Sequence, residues 1–317
     1  MNLSRPFARS LRRDSARGRA GDLLDGFGRG RFHEAHGFAL RLMSRSTLHA
    51  QLATYRQIFS AGIQNTFVYR WNFLLRTVFG VVPLVGMLFI WRAIFESKGG
   101  AINGYEYSSM IFYFMLVVFV DNLITPTEDE WQIAGEIRDG RMSTYLIKPM
   151  NYLAYRFTLY ASYRLLYMAV VALPIAGLAF VFREYITMPA HGITWPAFAL
   201  STAMAAGIQF CLAYSLAMIA FWVLEISTIV FIVFSFEYFL SGQIFPIDIF
   251  PVAMQRVLHW LPFSYELFFP VQVCMERVQG RALAEGLAIQ AAWLVLTYAL
   301  ARVLWSRGVR KYQAVGG

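Results

Sequence analysis

Met110–Val120 reads MIFYFMLVVFV, a run that holds no charge and does not alternate between polar and apolar residues. Val78–Trp91 (VFGVVPLVGMLFIW) has the same character. A strand of a membrane β-barrel would alternate over about 10 residues, so these runs indicate helices instead. The whole composition agrees, because 58% of the residues are hydrophobic and only 15% are charged. The sequence therefore predicts an all-α, polytopic integral membrane protein.

Working outward from these runs, six segments are long enough to cross a hydrocarbon core that needs about 20 apolar residues of helix. They are Asn72–Phe95, Ser108–Thr125, Phe157–Phe182, Pro196–Leu224, Ile226–Ile247 and Leu283–Trp305. The fourth and fifth segments are nearly continuous and together too long for one crossing. A tight reversal of the chain is therefore predicted at Glu225.

A polar segment, Thr127–Pro149 (TEDEWQIAGEIRDGRMSTYLIKP), separates the second and third apolar segments. Thr127 followed by Glu130 fits a capping box, and Gly140 is a suitable C-terminal stop, so a short charged helix is predicted. We expect this helix to be exposed and able to dock on an intracellular partner through one apolar side, although an ordinary cytoplasmic loop with a capped helix fits the same residues. That side carries Trp131, Ala134 and Ile137.

The first 70 residues differ from the rest of the chain. Residues 1–46 are rich in Arg, Gly and Ser and are expected to form a basic, disordered leader. By charge alone, this leader could bind anionic lipid or nucleic acid. A solvated tail, or an extension upstream of a true start at Met43, is the simpler interpretation. No nucleic-acid partner is therefore expected. Residues 47–70 repeat apolar side chains at helical spacing, which predicts an amphipathic interfacial helix, although an ordinary packed helix fits the same pattern.

Residues 241–282, before the last apolar segment, are apolar but contain four prolines, so one crossing helix is excluded there. Two short helices, Pro251–Trp260 and Ser264–Val273, are predicted instead, in a re-entrant segment that dips into the outer leaflet. Backbone at that depth has to be buried by protein.

Charges inside the apolar segments are candidate functional residues because burying them in lipid is costly. Glu237 lies 11 residues into the fifth segment, about 17 Å along the helix. Arg164 is the next deepest charge and a candidate partner for it. An interhelical hydrogen bond and a role in a substrate path or subunit interface both remain open for Glu237.

Other chemistry is not indicated. The histidines lack metal-ligand spacing, the two cysteines lie in different segments, and no clustered carboxylates or nucleophile motif suggest catalysis. No lysine follows a glycine, so the sequence has no phosphate-binding loop for ATP. No cofactor or metal is therefore expected in this chain.

Lysine and arginine are unevenly distributed between the loops. Close to the apolar segments, ten lie on the side of the N-terminus and five on the other side. An excess of positive charge marks the cytoplasmic side, so both termini are predicted to be cytoplasmic.

The order of these parts resembles the type-2 ABC transporter permeases, the membrane subunits of many polysaccharide, lipid and drug exporters. Three pieces carry the resemblance: the amphipathic helix before the first span, the loop Glu136–Pro149 after the second, and Ser241–Pro246 (SGQIFP) before the last. Together they cover roughly residues 48–312. The basic leader is not part of the family pattern.

The resemblance implies half of an export pathway in a bacterial inner membrane, embedded in lipid and paired with a second permease subunit, identical or different. It also implies an ABC ATP-binding subunit that binds the ATP, and an outer lid formed by the segment before the last span; a static cap remains the alternative. Coupling to the ATPase would fall within residues 126–156. The resemblance assigns it to Glu136, Arg138, Asp139, Gly140 and Arg141.

Two other classes compete with this interpretation. A polytopic membrane enzyme acting on lipids would need His, Asp or Glu converging at one membrane face, and the acids here are scattered. A secondary transporter would carry broken helices in both halves, whereas only the second half has a Pro-rich break. The sequence does not predict the substrate.

Overall fold

A computed structural model describes residues 53–63, 85–126, 129–148 and 150–312, with the backbone alone at 170–175 and 178. Within these ranges the chain is helical and forms no strand; one isolated bridge joins Ile102 and Tyr105. The predicted all-α class is confirmed. Residues 1–52 and 64–84, which hold the leader, parts of the interfacial helix and the start of the first span, lie outside the described residues.

The described helices are numbered in chain order. They are α1 (53–63), α2 (85–98), α3 (Tyr107–Ile124), α4 (Asp129–Arg138), α5 (Met142–Leu146), α6 (Tyr152–Val181), α7 (Thr194–Met218), α8 (Ser227–Leu240), α9 (Val252–Leu258), α10 (Phe268–Cys274) and α11 (Gly280–Lys311). Short 3-10 turns occur at Arg183–Tyr185, Ile219–Phe221, Ile247–Ile249 and Pro262–Tyr265.

Among the residues that the structure describes, three stretches are long and apolar enough to cross a membrane. They are the stretch that begins with α3 at Tyr107, Thr194–Phe221 and Gly280–Lys311. The chain is thus an integral membrane protein, and the arrangement of six spans remains a prediction.

The fifth predicted segment is shorter than expected. The sequence suggested Ile226–Ile247, but α8 has 14 residues, about 21 Å of helix. Two features end it early. Gly242 adopts a left-handed backbone with φ of 89°, and the Tyr113 hydroxyl donates to the Gly242 carbonyl at 2.5 Å. The predicted reversal before this helix is present, because residues 222–226 separate α8 from the 3-10 turn that follows α7.

α7 lies at the centre of the described bundle and packs against α3, α4, α10 and α11. Its second half belongs to one apolar core with α4, the start of α6 and the end of α11. Its first half contacts two further cores, built with α2, α3, α10 and the start of α11. We call these two regions the Glu136 end and the Pro-rich end of the bundle.

The Pro-rich end contains the two short helices predicted there, α9 and α10. They are tied to the loop between α2 and α3 by buried polar contacts. The Tyr105 hydroxyl donates to Asp248 Oδ2 at 3.0 Å and accepts from Gln272 Nε2 at 2.5 Å. The Arg277 guanidinium lies 3.5 Å from the centre of the Tyr105 ring. These four residues, Tyr105, Asp248, Gln272 and Arg277, are called the Tyr105 latch below.

Candidate functional site

Helix α4, the short charged helix predicted from the sequence, lies on the Glu136 end of the bundle. Ile133, Ala134 and Ile137 are buried against α7 and the 3-10 turn that follows it, whereas Trp131 is 38% exposed. The expectation that the apolar side docks on a partner is therefore wrong, because this side packs on the protein's own helices. A partner has to contact the opposite face.

Glu136 is held inside the bundle. Its carboxylate forms an ion pair with Arg156 of α6 and accepts hydrogen bonds from the hydroxyls of Tyr145 at 3.0 Å and Tyr152 at 2.6 Å. Arg156 Nε also donates to the Tyr152 oxygen at 3.0 Å. The Arg156 side chain is 3% exposed and that of Glu136 is 12% exposed. The expected exposure of Glu136 is wrong, and the residue fixes α4 to the start of α6.

Arg138 connects the same helix to a different place. Its Nη1 lies 3.5 Å from both Glu225 Oε2 and the Leu224 carbonyl, in the reversal that precedes α8. Glu225 Oε1 in turn accepts the Ser227 backbone N–H at 2.9 Å, at the first turn of α8. This hydrogen bond at a helix N-terminus lowers the pKa of Glu225. Arg138 and Glu225 therefore link α4 to α8.

The end of α4 has the predicted form. Gly140 has φ of 74°, the left-handed conformation of a helix stop. Asp139 and Arg141 form an exposed ion pair of 2.8 Å on either side of it. The exposed residues around this stop are Gln132, Arg138, Asp139, Arg141, Thr144, Leu146, Ile147 and Lys148, and we call them the α4–α5 face.

Arg164 of α6 is directed toward α3. Its Nη1 donates to the Asn122 carbonyl at 3.1 Å, and its guanidinium lies 5.8 Å from the centre of the Tyr160 ring. Tyr167 contacts the same residue of α3, because its hydroxyl donates to Asn122 Oδ1 at 2.8 Å. The proposed pairing of Arg164 with Glu237 is wrong, and Arg164 connects α6 to α3.

Glu237 of α8 has two other neighbours. Gln209 Nε2 of α7 donates to Glu237 Oε1 at 2.7 Å, and the Glu266 carboxyl interacts directly with the Glu237 carboxyl. Glu266 is fully buried. The sequence analysis missed it because a single acid between an aromatic residue and an apolar run in a Pro-rich segment gives no periodic signal. The only available signal was the acid itself within an apolar stretch.

The described residues contain no group of three or more His, Cys, Asp and Glu side chains placed to hold a metal ion. Cys211 and Cys274 are both buried free thiols. What the described part offers is a set of buried polar contacts joining helices, together with the charged α4–α5 face.

A model of the family described as "ABC-2 family transporter protein" matches residues 81–316, which include every helix from α2 to α11. No curated protein matches the chain.

Proposed function

We propose, from the premise that the chain belongs to the ABC-2 family of transporter proteins and is a membrane permease component of an ABC transporter, that it forms half of an export pathway driven by a separate ATPase. The resemblance drawn from the sequence to type-2 ABC permeases is thereby confirmed. A component of this family is a transport component rather than a catalytic enzyme, so the lipid-modifying alternative is set aside. Membership of an ABC family also sets aside a secondary transporter.

The family implies association with an ABC ATP-binding subunit. We infer that this subunit binds the α4–α5 face. The observation that carries the proposal is the two-sided construction of α4: one side is buried on the bundle, and the other presents Arg138, Asp139 and Arg141 around a glycine stop. Exposed charges orient a partner, while the apolar Ile147 beside them, 84% exposed, offers area to bury.

The contacts of α4 suggest how movement of the ATPase would reach the membrane. A push on α4 is passed to α6 through the buried Glu136–Arg156 pair and to α8 through Arg138 and Glu225. Because α4 also packs directly on α7, a movement of α4 would reach three helices, α6, α7 and α8. A buried ion pair is suited to transmit such a movement, since removing one of its partners costs several kcal/mol.

The remaining parts of the proposal concern surroundings and partners. The protein would lie in a bacterial inner membrane with both termini in the cytoplasm, and a second permease subunit would complete the pathway. The Pro-rich end would then form the outer lid, with the Tyr105 latch holding it to the loop between α2 and α3.

The test exchanges two exposed charges. The double variant Asp139→Arg with Arg141→Glu keeps an ion pair between the two positions. It exchanges the positive and negative charges that an incoming subunit would meet. Exposed substitutions of this kind change stability by about 0.5 kcal/mol or less, so the isolated chain should unfold as before. Co-purification of a co-expressed ABC ATP-binding subunit and ATP-driven export should both be lost.

Arg256→Glu serves as the matched control, because Arg256 is also exposed but belongs to α9 at the Pro-rich end. It should retain both the ATPase and export. Normal ATPase capture and normal export in the exchanged variant would refute the assignment of the α4–α5 face.

A further inference from the structure

Two carboxyl groups meet in the interior of the bundle where α8 contacts the Pro-rich end. Glu237 lies one turn before the end of α8, and Glu266 directly follows the 3-10 turn Pro262–Tyr265, which packs against α8. Their side chains interact as hydrogen-bonding groups. Glu266 is fully buried, so water does not reach it in this conformation.

The backbone on both sides of Glu266 is fixed. Gln290 of α11 donates through Nε2 to the Tyr265 carbonyl at 2.8 Å, and the Ser201 hydroxyl of α7 donates to Gln290 Oε1 at 2.9 Å. On the other side, the Phe268 N–H donates to the Ser241 carbonyl at 3.0 Å, directly after α8. Because Gln290, Ser201 and Ser241 are all fully buried, the Glu266 carboxyl cannot swing toward solvent without disrupting these contacts.

No positive charge balances the pair among the residues that the structure describes. Gln209 donates one hydrogen bond to Glu237 Oε1, while Glu237 Oε2 and both oxygens of Glu266 have no donor from another residue. The charged groups that act on Glu237 from the surrounding helices are themselves acids, Asp121 of α3 and Glu130 of α4. Two adjacent ionised carboxylates in such surroundings would repel each other strongly in a low dielectric.

We propose that Glu237 and Glu266 share one proton and together form a proton-binding site that fastens α8 to the Pro-rich end of the bundle. A hydroxyl of one carboxyl then donates to an oxygen of the other, which pairs two of the three orphaned oxygens. When α8 and the Pro-rich end separate and water enters, both carboxyls ionise and one proton per subunit leaves to the solvent. The binding site depends only on the fold, whereas its opening during a transport cycle rests on the proposed function.

Infrared spectroscopy of the intact chain in lipid nanodiscs tests the site directly, because a protonated carboxylic acid has a carbonyl band separate from that of a carboxylate. At neutral pH the wild type should show this band with an intensity of one carboxyl per subunit. In Glu237→Gln and Glu266→Gln the hydrogen bond between the two carboxyls is replaced by one to an amide, so the band should shift in frequency. The exposed Glu285→Gln, in α11, should leave it unchanged.

Two measurements keep the test independent of variant folding. In the wild type, raising the pH should remove the band as a single proton is lost. Sodium, magnesium and methylammonium ions are then added at fixed pH, and the band should not change. The absence of a protonated band at neutral pH, an unshifted band in either Gln variant, or displacement of the band by one of these cations would overturn the proposal. In the last case the pair would be a cation site.

Discussion

Arg156 is the buried counter-charge of Glu136, and this ion pair holds α4 to the start of α6. Its guanidinium also lies 5.5 Å from the centre of the Tyr152 ring, so the same group makes an ion pair and a cation–π contact. Removal of this one side chain leaves a carboxylate with two hydroxyl donors and no counter-charge.

Arg156→Ala should therefore lower the free energy of unfolding by about 3–5 kcal/mol, as expected when one partner of a buried pair is removed. Arg138→Ala is the matched comparison, because Arg138 is 40% exposed in its ion pair and should cost less than about 1 kcal/mol. Denaturant titration of both variants in detergent measures the difference. Equal losses in the two variants would show that Glu136 does not depend on Arg156.

Glu276 should make the stability of the folded protein depend on pH. Its carboxylate accepts the His191 backbone N–H at 2.8 Å and the Thr194 hydroxyl at 2.7 Å, at the start of α7. These bonds lower the pKa of Glu276 from 4.5 to about 2. Since the folded value lies below the unfolded one, the stabilisation is complete above pH 4.5 and is lost as the pH falls toward about 2.

The melting temperatures of the wild type and Glu276→Gln should therefore differ most at neutral pH and converge as the pH falls through that window. The comparison of the two chains at each pH removes the contribution of every other acid. A difference that stays constant across the window would contradict the assignment.

At the scale of elements, close helix contacts depend on glycine. A Cβ placed on Gly308 near the end of α11 would lie 2.2 Å from a ring carbon of Phe221, in the 3-10 turn that follows α7. The two segments can approach so closely only because this position has no side chain. The contact brings the end of α11 onto the same core that α4 covers.

Gly308→Ala should push α11 away from that turn and destabilise the protein by about 1–3 kcal/mol, the usual cost of overpacking. Gly177→Ala in α6 is the control, because its Cβ would meet no described atom within 4 Å and alanine favours the helix by up to about 1 kcal/mol. Thermal unfolding of the two variants should move in opposite directions. A neutral Gly308→Ala would mean that Phe221 can turn aside without loss.

Helices were predicted well where local signals mark their ends, and less well where the ends depend on distant contacts. Gly140 stops α4 as expected, because a left-handed glycine is a local device. The early end of α8 was missed, since the hydrogen bond from Tyr113 to Gly242 joins residues 129 positions apart. The residues next to Gly242 in the sequence give no sign of so distant a partner.

At the scale of the whole molecule, long-range polar pairs close the Pro-rich end, and the Tyr105 latch is the largest of them. It joins Tyr105 to Gln272, 167 positions away in the chain, and to Arg277, and it brackets α10, the helix that ends at Cys274. Burial raises the pKa of the Cys274 thiol to about 11, so the thiol should react slowly with alkylating reagents while the latch is closed.

Tyr105→Phe removes the hydroxyl of the latch and keeps the ring. In a Cys211→Ser background it should accelerate maleimide labelling of Cys274 about tenfold, the effect of about 1.4 kcal/mol on an opening equilibrium. Arg256→Ala, an exposed change in the neighbouring α9, should leave the rate unchanged. Unaltered labelling in Tyr105→Phe would show that the latch does not control this end.

The candidate site was predicted only in part for the same physical reason. The charged segment and its glycine stop could be read from neighbouring residues, and so could the presence of Glu237 in an apolar run. The partners could not, because Gln209 precedes Glu237 by 28 positions and Glu266 follows it across the Pro-rich turns. Helix packing decides which acid contacts which amide. The spacing of residues in a single sequence does not predict this pairing.

As the proposed fifth span, α8 would be short for the bilayer around it. Its 14 residues reach about 21 Å, while the hydrocarbon core of a typical bilayer is about 30 Å thick. Five of its large apolar side chains, including Phe231 and Phe236, are exposed. Hydrophobic mismatch of this size draws the two leaflets together beside the helix, at a cost of fractions of a kcal/mol per Å. The protein should accordingly collect lipids with short acyl chains along α8, and an amphiphilic molecule leaving the bundle there would have a shorter distance to travel between the two headgroup layers.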